Sequence, residues 1–184
     1  MATTALIIID VQAGFADPSW GPPNNPDAER NIALLLDAWR TSGQPVILVR
    51  HDSNLPSSPL ATGTPGNSFA ATLDGVDAAL VFGKSVNSAF HGEVDLHAWL
   101  TGRGISRLVL AGIQTNMCVE TTARVAGNLG YDVTVALDAT RTFDLAGPDG
   151  TVLTATELTR ATATNLHGGG FAQIASTADV IAST

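Results

Sequence analysis

Lysine is almost missing from this chain of 184 residues: Lys84 stands alone, and the other eight of the nine basic residues are arginine. Cysteine is just as scarce. The single Cys118 excludes an internal disulfide, so a packed core must hold the fold. No apolar run approaches the roughly 18 residues that a membrane-spanning helix needs, and the start Met-Ala-Thr-Thr has neither a basic region nor a hydrophobic signal segment. A cytoplasmic protein without membrane contact is expected. Positive charge is also short: the formal net charge is -8, and the basic residues form no patch or stripe. Nucleic acid and anionic lipid are therefore excluded as partners.

What is present suffices for one sizeable core. Hydrophobic residues make up 45% of the chain and no interior stretch has the composition of a linker, which predicts one domain over residues 1–184. Short apolar runs at Ala5 to Ile9, Pro45 to Val49, Ala79 to Phe82, Leu108 to Ile113 and Val133 to Leu137 read as strands, with Phe171 to Ala175 as a sixth. Their apolar residues are continuous instead of alternating. That is the pattern of parallel strands covered on both faces. Helical spacing fills the gaps: Ile32, Leu35, Leu36 and Trp39 lie between an expected start at Asn25-Pro26 and a stop at Gly43. Further helices are expected over Glu93 to Thr101, Asn116 to Asn128 and Thr151 to Asn165. Repeated βα alternation predicts a doubly wound α/β fold: a mainly parallel six-stranded sheet with helices on both faces. Its ligand site belongs outside the carboxyl ends of the strands.

Three residues of chemical interest fall at such ends. Asp10 closes the first run, Lys84 follows the third, and Cys118 opens the helix after the fourth. Each has an ordinary explanation. A lone cysteine is commonly a small buried hydrophobe, a strand-end aspartate caps a loop, and a lysine there is solvated. Their joint placement on one edge outweighs this. A chain that uses arginine almost throughout has kept one lysine, where a compact charge whose pKa responds to burial does what a planar guanidinium cannot. The first turn of a helix favours a thiolate, so Cys118 is expected to be reactive at neutral pH, with the negative charge of Asp10 pushing its pKa up and reducing the effect. Two loops leave the same edge: Asp17 to Asn25 and the long segment from His51 to Val76, rich in Ser, Pro and Gly. A loop of that length commonly covers a site.

Asp10-Val11-Gln12 with Phe15, then Gly83-Lys84 with Ser88-Ala89-Phe90, then Gly112-Ile113-Gln114-Thr115-Asn116-Met117-Cys118-Val119 with Thr121, Thr122 and Arg124, resemble the isochorismatase-like cysteine hydrolases. That group includes nicotinamidases and N-carbamoylsarcosine amidohydrolase. The resemblance covers nearly the whole chain. It implies a catalytic triad of Asp10, Lys84 and Cys118, a cis peptide at Ile113-Gln114, and an oxyanion hole from the Gln114 and Cys118 N–H groups. The expected reaction is cleavage of a C–N bond in a small amide or carbamoyl compound through a thioester on Cys118, with Phe15, Trp20, His51 and Asn116 as candidate substrate contacts.

The chain departs from its better-known relatives at Arg50-His51-Asp52-Ser53, where nicotinamidases carry an Asp-x-His metal motif. His51 and Asp52 are neighbours on an extended segment and should point apart, so no metal and no other cofactor is expected. Isochorismate-cleaving members lack the cysteine, which argues against vinyl ether hydrolysis. A non-hydrolytic metabolite-binding or scaffold member of the same fold is the other alternative. His91, His97 and His167 are assigned to no chemistry, and Phe143 is read as structural. With only 14% charged residues and a mean hydropathy of +0.20, the chain is expected to bury apolar surface in a homo-oligomer, a dimer or larger.

Overall fold

The computed structural model describes residues 3–184. Along the chain run β1 (Thr4–Ile9), α1 (Ala28–Ser42), β2 (Val46–His51), β3 (Leu80–Lys84), α2 (Leu96–Thr101), β4 (Arg107–Ile113) and α3 (Glu120–Asn128). They are followed by β5 (Asp132–Arg141), β6 (Leu145–Ala146), β7 (Val152–Leu153), α4 (Ala155–Gly168), β8 (Gln173–Ala175) and α5 (Thr177–Ala182). Six strands form one sheet in the order β3-β2-β1-β4-β5-β8, and every pairing in it is parallel. The short β6 and β7 pair as a separate antiparallel arm.

The central strand shows why its sequence is uninterrupted in hydrophobicity. Ala5, Ile7 and Ile9 enter one core, with Leu96, Leu100, Ala123, Ala126 and Leu166 from α2, α3 and α4. Leu6 and Ile8 enter the other, with Ile32, Leu35, Leu36 and Trp39 from α1 and Val180 from α5. Side chains alternate across a strand, so burying both faces requires apolar residues at every position.

Helix starts differ from the sequence expectation wherever the capping residue is engaged elsewhere. Asn25 does not open α1. It takes a left-handed φ of 50°, and its amide donates to the carbonyls of Asp138 and Thr140, so the helix begins at Ala28. Glu93 does not begin α2 because its carboxylate accepts the Gly83 N–H and its own N–H donates to the Gly83 carbonyl. Asp95 caps instead. Thr151 belongs to the turn of the β6–β7 arm, and α4 starts after a capping box made by Thr154 and Glu157. It runs past Asn165 to Gly168. Phe171 and Ala172 both donate back to the Leu166 carbonyl, which delays β8 to Gln173.

The chain moves from β1 outward through β2 and β3, then returns to the other side of β1 as β4. The gap beyond the carboxyl ends of β1 and β4 is thus the switch point of the sheet, where a crevice opens.

Candidate active site

Asp10 is the first residue past β1. Its N–H continues the ladder to the Val49 carbonyl at 2.8 Å, but its φ of 53° is left-handed, a conformation costing roughly 1–3 kcal/mol for a residue with a side chain. The side chain is fully buried. Opposite it, β4 leaves through Gly112, whose φ is 129° and where a Cβ would lie 2.0 Å from the Ile9 carbonyl oxygen. Only glycine lets the two strand ends approach this closely. The Ile113–Gln114 peptide that follows is cis, and a wide helical turn over Thr115–Val119 leads into α3. The Gln114 carbonyl accepts from the N–H groups of Met117 and Val119. Cys118 is thereby held at the mouth of the switch point, 8% exposed.

Lys84 comes from β3, in register with His51 on β2, and reaches across the end of β2 to the other two. Its Nζ donates to Asp10 Oδ2 at 2.7 Å, lies 3.4 Å from Cys118 Sγ and 3.3 Å from His51 Nδ1. The ammonium and the carboxylate are both fully enclosed. Asp10 Oδ1 has no hydrogen-bond partner among the described residues, and the Cys118 thiol lies within 4.8 Å of the Asp10 carboxylate. A free acceptor thus sits beside the thiol.

Burial sets the protonation states. It raises the Asp10 carboxyl to about 6 despite the opposing charge of Lys84. Burial and then the Asp10 charge push the Cys118 thiol up to about 12, with Lys84 only partly offsetting them. Burial and the Lys84 charge lower His51 to about 4. At neutral pH the cluster therefore holds an ionised carboxylate, an ammonium, a neutral thiol and a neutral imidazole. This corrects the expectation of a reactive resting thiolate. Desolvation and a neighbouring carboxylate outweigh the helix turn, which acts on a thiol that has left water.

Asp10, His51 and Cys118 offer a cluster of potential ligand atoms within 4.8 Å of one another. Asp52 is not in it: its carboxylate takes Arg50 and the Asn67 amide instead. His51 and Asp52 do point apart. The Lys84 ammonium lies at 2.7 to 3.4 Å from an atom of each of the three clustered residues, so the chain's own charge stands among these potential ligand atoms.

Above the cluster opens a cavity of about 420 Å³. Phe15, Trp20, His51, Asn116, Gln114, Asp10 and Cys118 all line it, so every substrate contact expected from the sequence faces one space with two members of the cluster. Phe143 lines it too, contrary to its reading as purely structural. It stacks at 5.6 Å from Trp20 and 6.1 Å from Phe15, while Phe15 and Trp20 are 5.2 Å apart, so three rings make one apolar wall. Leu60 brings the long loop to the cavity, and Asn87, Asp144 and Leu145 complete contributions that the sequence did not disclose. No periodicity marked them: Asn87 lies in the loop after β3, and Asp144 and Leu145 follow β5 at the start of the β6–β7 arm.

A surrounding layer of hydrogen bonds fixes these positions. Gln12 donates to the carbonyls of His51 and Asn67 and accepts the His51 N–H, and Asn67 donates to the His51 and Leu60 carbonyls. The long loop is thereby stapled to the end of β2. The Thr115 and Thr140 hydroxyls meet at 2.9 Å and Thr142 bonds the Asn116 side chain at 2.5 Å, tying the cysteine turn to the end of β5. Trp20 Nε1 donates to the Gly14 carbonyl, which orients the indole.

Residues 4–168 match the model of the isochorismatase domain. The chain is 36% identical over 177 residues to the isochorismatase family protein YrdC of Bacillus subtilis, covering 96% of this chain and 94% of that one. A solved isochorismatase-family structure from Chromobacterium violaceum superposes with a TM-score of 0.92 at 40% identity, covering 98% and 93% of the two chains. Nicotinamidase 3 of Arabidopsis thaliana is 29% identical over 76% of this chain and 74% of its own. Together with the parallel sheet and the cluster at its switch point, these similarities establish that the chain belongs to the isochorismatase family of hydrolases.

Proposed function

We propose that this hydrolase cleaves the C–N bond of a small amide or carbamoyl compound through a thioester on Cys118. The observation that carries the reading is the buried ammonium of Lys84, bonded to Asp10 and in contact with Cys118. The relative named nicotinamidase supports it, because an amide is the substrate its name gives.

The steps follow from the protonation states. A free thiolate is strongly disfavoured here, so the thiol proton passes to Asp10 as sulfur attacks the carbonyl carbon. A carboxyl near 6 suits that exchange close to neutral pH. The S–C bond forms and the carbonyl oxygen gains a negative charge, which the backbone N–H groups of Gln114 and Cys118 receive. One such donor is worth roughly 3–4 kcal/mol elsewhere. The C–N bond breaks as Asp10 returns its proton to the leaving nitrogen. Water then gives a proton to Asp10 and attacks the thioester, the acid product leaves, and the thiol recovers its proton. Lys84 keeps Asp10 oriented and compensates its charge throughout.

Ammonia release from a panel of primary amides and carbamoyl compounds, run beside Cys118→Ala, tests the proposal. Release above the variant on at least one compound is expected. Equal background on all of them would leave a non-catalytic role for the site.

A further inference from the structure

The wall of the cavity carries carboxylates but no basic side chain. Among the described residues, no arginine or lysine lines it, while Asp10 lies at its floor and Asp144 at its mouth. The Lys84 ammonium is enclosed beneath, with Asp10 as its closest partner. His51 is the one wall residue able to become cationic, and burial and Lys84 keep it neutral down to about pH 4. The partly buried arginines Arg50, Arg124 and Arg141 are each held by an acid of their own, Asp52, Glu120 and Glu29. Asp144 takes the Ala155 N–H through Oδ1 at 2.7 Å and forms no ion pair among the described residues. It thus stands at the first turn of α4, whose N–H groups favour an acid there, and places a carboxylate at the rim on a chain whose net charge is already -8.

The rest of the wall is largely apolar: Phe15, Trp20 and Phe143, with Leu60, Met117 and Leu145. A carboxylate at the outer end of the cavity would shed water against aromatic rings and meet the Asp144 carboxylate, neutral polar groups and no basic side chain on the wall. That cost falls on the ligand without any charged partner to offset it. An uncharged group loses little there, and an ammonium gains from both the carboxylate and the ring faces.

We propose that the cavity excludes anionic substrates and takes an amide whose body is flat, apolar and free of carboxylate, either uncharged or cationic at its outer end. This rests on the hydrolase reading for the identity of the reacting group, but the charge selection is a property of the cavity.

The test is calorimetric binding to Cys118→Ala, which needs no turnover. The probes are aryl and alkyl primary amides, each paired with twins bearing a carboxylate or an aminomethyl group at the far end. In the pairs, the uncharged and aminomethyl members should bind about tenfold or more tighter than the carboxylate twin. Asp144→Lys should narrow that gap at least threefold, by analogy with other rim charges. Equal or tighter binding of the carboxylate twins, a gap unmoved by Asp144→Lys, or no binding by any member would overturn the proposal. If discrimination is found but wild type releases no ammonia from any bound amide, the charge selection stands and the hydrolase reading falls.

Discussion

Replacing Asp10 by asparagine should make the nucleophile more acidic while stopping the reaction. The Cys118 thiol is held at about 12, first by burial and then by the carboxylate of Asp10, which lies within 4.8 Å. Two unit charges at that distance repel by about 3 kcal/mol at an effective dielectric near 20, equivalent to roughly 2 to 3 pKa units. Asparagine has nearly the same shape and removes the charge, leaving the ammonium of Lys84 as the dominant neighbour. The thiol should therefore titrate about 2 units lower, still above an ordinary cysteine because the desolvation persists. Turnover should fall on the order of 10²–10⁴-fold, since the variant cannot take the thiol proton. Ultraviolet thiolate absorbance against pH, corrected with Cys118→Ala, reports the titration of the only cysteine without ambiguity. An unchanged midpoint in Asp10→Asn would show that the carboxylate charge does not reach the sulfur. The proton-transfer scheme would then be wrong.

The pH profile of kcat/KM should fall on the acid side through about 6, because burial has raised the Asp10 carboxyl there and only its ionised form accepts the proton; a limb near 4 would place the essential base elsewhere. Lys84→Arg should lose about 100-fold or more in kcat/KM while still folding, because a planar fork in a fully enclosed space displaces the thiol or the carboxylate. Near-normal rates beside a normal melting curve would refute that. Exhaustive chelation should leave activity intact, and loss with recovery on adding zinc, iron or manganese would contradict the reading of Lys84 as the cluster's cation. Self-association is expected from exposed Leu145, Val152 and Leu153 on the β6–β7 arm. A monomer mass by light scattering at micromolar concentration would exclude it.

The central strands were legible in the sequence because burial on both faces leaves a run with no polar interruption, as Ala5 to Ile9 shows. The edge strand β8 was less so, since its residues are only partly buried and Phe171 is drawn back to α4. Asp10, Lys84 and Cys118 could be found because each stands at the boundary of a recognisable element, Asp10 and Lys84 at strand ends and Cys118 at a helix start. Phe143, Asn87 and Asp144 could not, because a cavity wall is assembled by loops that no local periodicity connects. Helix starts were misjudged at Asn25 for a related reason: the residue type announces a cap, whereas the side chain is spent across the sheet on Asp138 and Thr140. The thiol's state was legible only in part, through the opposing charge of Asp10. A helix turn is visible in sequence, but the depth of burial that overrides it is a property of the packed fold.

The scarcity of lysine acquires a physical meaning at this site. A carboxylate, an imidazole nitrogen and a sulfur gathered within 4.8 Å form a set that could attract a divalent cation. The chain fills that position with an ammonium on a four-carbon stem, drawn from a strand two places away from β1. A single charge suits the chemistry better than a divalent ion would. It stabilises the carboxylate only partly, leaving the Asp10 carboxyl at about 6, a value that suits the proton transfers of the proposed reaction. A metal bound to the same oxygen would hold the carboxylate ionised, and bound to the sulfur it would keep the thiolate as a ligand instead of a nucleophile. An arginine would remain charged but could not fit the enclosed point between three partners. Of the cations available to a protein, lysine alone meets both conditions of the proposed reaction, and the chain, which otherwise uses arginine, carries its one lysine at this position.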